Sequence, residues 1–224
     1  WCMTDRTVPE NIAAVLEARE VWKGRLEVLL GLEWDGCSPQ KTEGFDYVIG
    51  SLHHIVMGGE YPSIDDTAPI TREVLERYFH NDEDALAEAY FAQYADLAEN
   101  PKVDIVGHFD LPTKFSETEG LIPGDTPRYR DAAMAAMETL LKADKIFEVN
   151  TGAMAGGKRT VPYPAPWLLK ELKARRARVL VSSDAHTAGA VAFAFPEMEE
   201  LLGSVGFRER WEFHTGWGFV PVSL

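Results

Sequence analysis

At 224 residues the chain is long enough for one α/β domain that buries its own core without disulfides or a structural metal. A formal charge of −14, from 22 Lys and Arg against 36 Asp and Glu, opposes a broad nucleic-acid-binding surface, which depends on arrays of cations releasing counterions. No apolar run approaches the ~20 residues of a membrane span. Cys2 and Cys37, neither in a Cys-x-x-Cys pair, make no disulfide framework, so a cytoplasmic protein without membrane or nucleic-acid partners is expected. Oligomeric state is left open.

Nothing ahead of Pro9 has the form of a secretory signal, and Trp1 as first residue reads as a clipped front. From Pro9 the spacing of Ile12, Val15, Leu16 and Arg19 predicts a helix over 11–22, and the apolar run 26–32 a buried strand. A second apolar run, 47–52, predicts a strand leading directly into His53 and His54. The Gly-, Pro- and Asp-rich stretch 58–70 is a loop, followed by helices over 71–79 and 82–99, with Asp82 as N-cap and Pro101 as stop. A strand over 103–106, a loop over 114–127, a helix over 129–142 and a strand over 145–149 come next. A Gly-rich loop at 152–160 leads to a helix over 165–176, a strand over 178–182, a helix over 196–202 and a last strand over 211–213. This alternation predicts six parallel strands with crossover helices in a single domain over 1–224.

Polar residues fall where those strands end: Glu33, His53, His108, Asn150, and then Asp184 with His186. In parallel α/β sheets and barrels, sites form at the carboxyl ends of strands, where the loops converge. Each residue alone has an ordinary explanation. Glu33 could be a solvated loop residue, His53 or His108 an interior histidine, and Asp184 a helix cap. Glu33, His53, His108, Asp184 and His186 together are better explained by one divalent-metal cluster, since imidazole and carboxylate suit zinc, manganese or iron. Asp184 and His186, two apart on an extended segment, point to the same side. His80 precedes a helix boundary and reads as a helix-terminus residue; His214 reads as structural.

Five phrases occur in order: Gly31-Leu32-Glu33, Asp46-Tyr47-Val48-Ile49-Gly50-Ser51-Leu52-His53, Gly107-His108-Phe109-Asp110-Leu111, Glu148-Val149-Asn150-Thr151 and Ser183-Asp184-Ala185-His186. Together they resemble the PHP superfamily, and within it the histidinol-phosphate phosphatases of PHP type; Tyr163-Pro164 and Gly206-Phe207 fit as well. The resemblance implies a distorted (β/α)7 TIM-like barrel, the PHP fold, with up to three divalent metal ions. Glu33 would bridge two metals, His53 and His108 would complete the second, Asp184 would ligate the first and His186 the third. The family's opening His-x-His has no counterpart before Glu33, so the chain is expected to be N-terminally incomplete and to lack the first strand or strands. The implied reaction is hydrolysis of a small phosphomonoester, L-histidinol phosphate, in histidine biosynthesis. Another small phosphate ester or nucleotide as substrate, or a non-catalytic metal-binding fragment, stands as the alternative.

For that chemistry the loops offer two cations. Arg159 can grip phosphate oxygens bidentately and is the expected clamp, with Lys114 as supporting charge. Asp110 and Asn150 are candidates to orient ligands or to protonate a leaving alkoxide.

Overall fold

A computed structural model describes residues 7–224; Trp1 and Cys2 lie outside it. The helix expected at 11–22 begins earlier, as α1 (Thr7–Val21), and buries none of its residues. β1 spans Gly31–Asp35 and so contains Glu33, instead of ending before it. Pairing sets this boundary where apolar content does not: β1 lies parallel to β2 (Tyr47–Ser51), from Gly31 opposite Tyr47 to Asp35 opposite Ser51. Most of the apolar stretch from residue 26 has no such partner and stays outside the strand.

Between β2 and the next strand lie α2 (Ala68–Phe79) and α3 (Glu83–Ala95). Thr67 caps α2 by accepting from the Ile70 N–H, and His80 closes it in the left-handed region at φ 52°, the helix-terminus place its sequence position suggested. Asp82 caps α3 by accepting from the Ala85 N–H. A 3-10 turn, Asp96–Glu99, carries that helix to its stop before Pro101.

The two-residue β3 (Ile105–Val106) is followed by a 3-10 turn (Leu111–Phe115), the short α4 (Ser116–Glu119) and α5 (Pro127–Lys142). Then come β4 (Ile146–Asn150), α6 (Gly152–Ala155), α7 (Pro166–Ala174), β5 (Val179–Ser182) and α8 (Phe195–Val205). The five strands form one parallel sheet in the order β1-β2-β3-β4-β5; helices fill the connections after β2, whereas residues 36–46 join β1 to β2 without the expected crossover helix.

The sixth strand departs from expectation. β6 (Glu209–His214) pairs antiparallel with β7 (Gly218–Ser223) in a separate hairpin, not in the parallel sheet. Its residues show why. Parallel strands covered on both faces are buried along their length, as β4 is at every position, whereas no residue of β6 is fully buried. β7 escapes prediction because Pro221 reads against a strand, yet an edge of an isolated hairpin tolerates it.

An aromatic layer holds α3 and α5 to the sheet. Phe91 packs against Phe109 and Tyr129 with ring centroids 5.1 Å apart in each case, and Phe109 against Phe147 at 5.4 Å. All four are essentially inaccessible, each contributing roughly 1.5–3 kcal/mol of burial. Tyr94, equally buried, donates its hydroxyl to the Gly50 and Gly107 carbonyls and so pins the ends of β2 and β3 to α3. No helix among the described residues is long and apolar enough to cross a membrane.

Candidate metal centre

Glu33 projects from β1, while His53 and His108 each stand two residues beyond β2 and β3, so three neighbouring strands deliver one side chain apiece to the same sheet end. Glu33 Oε1 lies 3.0 Å from His108 Nε2 and 3.5 Å from His53 Nε2. The imidazoles meet edge to face with centroids 4.8 Å apart. One potential ligand atom from each of the three lies within 4.8 Å of the other two. A tetrahedral centre with bonds near ~2.1 Å has donors ~3.4 Å apart, so this carboxylate and two imidazoles fit a divalent ion of zinc type.

The three are graded in depth. The His108 side chain is 5% exposed, that of His53 29% and that of Glu33 42%, giving a floor, a wall and a rim with room for a further ligand. Desolvation raises the Glu33 carboxyl, but the hydrogen bond with His108 and the charges of His108 and His53 outweigh it and bring it down to about 2. Burial opposes charge on His108, but Glu33, with help from Glu148 and Asp184, lifts it to about 9.

Close packing places His108. A Cβ on Gly107 would come within 2.4 Å of Ser51 Oγ and 2.9 Å of Ile49 Cγ2, so only glycine lets β3 sit this near β2. The His108 backbone N–H donates to Glu148 Oε2 at 2.8 Å. Burial pushes the Glu148 carboxyl up, against the pull of His108 and Asn150.

Asn150 stands between two carboxylates. Its Nδ2 donates to Glu148 at 3.1 Å and to Asp184 at 3.3 Å, and its Oδ1 accepts from the Gly152 N–H at 2.8 Å. Asp184, at φ 44° in the left-handed region that non-glycine residues rarely occupy, is thereby held at the edge of the centre. His186 is the most open of the expected ligands, its side chain 70% exposed and its Nδ1 2.9 Å from the Asp184 carbonyl. Asp184 and His186 are therefore adjacent to each other but stand outside the group of three.

Of the two expected cations, neither is a free loop charge. Lys114 reaches the Asp65 carbonyl at 2.7 Å and its carboxylate at 2.9 Å. Arg159 is interior, its side chain 3% exposed, with Nη1 on Thr113 Oγ1 and 3.5 Å from Asp110 Oδ2 and its guanidinium 4.2 Å over the Tyr163 ring. Arg159, the expected phosphate clamp, is thus held inside the protein by Asp110, Thr113 and Tyr163. Asp110, as deeply enclosed, also accepts from the Ala165 N–H at 3.1 Å, and burial pushes its carboxyl up despite Arg159. The pair fastens the loop after β4 to the turn after β3.

Two site residues escape the reading of strand ends. Asp35 contacts His53 and His54, and its signal was its place two residues after Glu33, on the same face of β1. Glu148 sits inside an apolar strand, where a charged residue is rarely buried without a partner.

A family model described as PHP domain matches residues 1–152. The "probable histidinol-phosphatase" of Deinococcus radiodurans is 31% identical, the alignment covering 93% of this chain and 76% of that protein. One of the same name from Schizosaccharomyces pombe is 24% identical over 90% of this chain and 67% of its own length. Two solved structures share the fold. A Listeria monocytogenes protein, provisionally named histidinol phosphatase, superposes with TM-score 0.75 at 17% identity, covering 87% of this chain and 77% of that one. The histidinol phosphate phosphatase of Lactococcus lactis, in complex with zinc, L-histidinol and phosphate, gives TM-score 0.62 at 18% identity, over 91% and 76%. These neighbours have the distorted TIM-barrel architecture, of which the five-stranded parallel sheet here is the corresponding α/β framework. With the model spanning well over half its length, the chain belongs to the PHP domain family.

Proposed function

We propose that this protein is a metal-dependent phosphomonoesterase that cleaves L-histidinol phosphate to L-histidinol and inorganic phosphate, a cytoplasmic step of histidine biosynthesis. The observation that carries the reading is the convergence of Glu33, His53 and His108 at metal-ligand spacing, in a PHP chain whose relatives carry the histidinol-phosphatase name.

A divalent ion bound there, zinc, manganese or iron, supplies a Lewis acid that activates water near neutral pH and offsets phosphoryl charge. The rest is the work of this chain's own residues. His108 forms the floor and is fixed through its backbone by Glu148; His53 forms the wall; Glu33, on the rim, would supply the carboxylate ligand, the bridging one in the family pattern. Asp184 and His186, adjacent to each other beside that group, would be the residues to hold further ions, as the family's three-ion complement implies. Asn150, by donating to both Glu148 and Asp184, keeps two carboxylates apart and aimed. Lys114, one quarter exposed beside Asp65, brings positive charge for the phosphate, and Arg159 with Asp110 holds the 152–160 loop in place.

The test is phosphate release from L-histidinol phosphate by protein loaded in turn with zinc, manganese and iron, alongside a panel of other small phosphate esters. Turnover that a chelator abolishes and metal restores, with the largest kcat/KM on histidinol phosphate, is the expected result. Metal-loaded protein that releases no phosphate from any ester, or that prefers another ester, sinks the assignment.

A further inference from the structure

Both oxygens of the Asp35 carboxylate are engaged. Oδ2 accepts from the His53 backbone N–H at 2.9 Å and faces His53 Nδ1 at 3.3 Å and His54 Nδ1 at 3.6 Å; Oδ1 accepts from the Cys37 N–H at 2.9 Å. Its side chain is 18% exposed. Because Asp35 ends β1 and His53 follows β2, these contacts bind the exits of two adjacent strands together, directly beneath the rim.

The ring of His53 is thereby given a direction. One nitrogen, Nδ1, turns to Asp35, and the other, Nε2, is left 3.5 Å from Glu33 on the ligand side. An imidazole whose Nδ1–H is held by a carboxylate presents the Nε2 lone pair, the form a metal requires. We propose that Asp35 is a positioning residue of the metal centre, holding His53 in the Nδ1–H tautomer with Nε2 aimed at the shared point between Glu33 and His108. The inference rests on the metal-centre reading of those three residues and adds a fourth that touches no ion itself.

A purely local role is the competing account, since Oδ1 also caps the turn at Cys37. Asp35→Asn separates the two. Asparagine caps such turns as well as aspartate does, but it replaces the second oxygen with an N–H2 donor that cannot accept from His53. Zinc affinity is measured by calorimetry on the wild type, D35N and D35A, and the His53 tautomer is read from imidazole nitrogen shifts of the metal-free wild type and D35N at about pH 8. Expected are an Nδ1–H tautomer in the wild type, its loss in D35N, and zinc binding weakened by ~10–100-fold in D35N.

D35N binding zinc within about twofold of the wild type would overturn the proposal. So would an Nε2–H tautomer in the wild type, a result that needs no variant to fold. Wild-type protein that binds no zinc sinks the metal-centre reading itself, a different failure from wild-type binding that D35N leaves intact.

Discussion

Glu33 and His108, seventy-five residues apart in the chain, meet at 3.0 Å across β2 at one end of the sheet, each supplying the charge that favours ionisation of the other. In the metal-free protein this makes stability depend on pH in a defined way. His108, raised from 6.5 to about 9, stabilises fully below 6.5 and loses that contribution as pH rises toward 9. Glu33, lowered from 4.5 to about 2, stabilises above 4.5 and loses its contribution as pH falls toward 2. The thermal advantage of wild type over E33Q, measured in chelator across pH, is therefore expected to peak between about 4.5 and 6.5 and to shrink on both sides. An advantage that grows from pH 7 to 9 contradicts the pairing.

His108 is the floor of the centre, so its replacement is expected to cost more than that of any residue acting through it. For H108Q, zinc affinity should fall by more than ~100-fold, beyond the range for outer-sphere partners, and phosphate release should fall with it. Dialysis against a zinc buffer series followed by metal analysis gives the answer.

Tyr94 tests the mooring of the strands. Removing the hydroxyl in Y94F takes the Tyr94 donor from the buried Gly107 carbonyl, while the Gly50 carbonyl keeps the Gly107 N–H at 2.9 Å, for an expected loss of about 1–3 kcal/mol in urea unfolding. A loss below a few tenths would show that the hydroxyl holds nothing.

The buried Arg159–Asp110 pair makes a cycle of variants informative. R159M leaves a carboxylate uncompensated inside the protein and should cost about 3–5 kcal/mol, while adding D110N to R159M should recover a large part of it. Additive losses would mean the two residues act separately.

The parallel strands were legible because two-sided burial writes itself as short apolar runs, and His53 and His108 because they follow those runs at the exits. β1 was misplaced because apolar content at 26–30 extends past the point where β2 offers hydrogen bonds, a fact about a neighbour sixteen residues on. The C-terminal hairpin was hidden by Pro221 and by a last strand whose apolar–polar mixture fits either sheet type. The burial of Arg159 was not legible from its place after Gly156 and Gly157; it comes from Asp110, Thr113 and Tyr163, which only the folded chain assembles. Asp35 and Glu148 lacked a sequence signal of comparable strength, since a carboxylate that orients a ligand need satisfy only a local distance.

All three donors of the candidate centre lie within residues 33–108, on adjacent strands. The loops leaving β4 and β5 past residue 151 contribute none of them. Apart from Asp184 and His186, proposed for further ions, those loops can therefore lengthen, shorten or change composition over evolutionary time while the grip of Glu33, His53 and His108 on one ion stays intact, which leaves much of one half of the rim free to diversify in what it admits and the other half bound to a fixed chemistry.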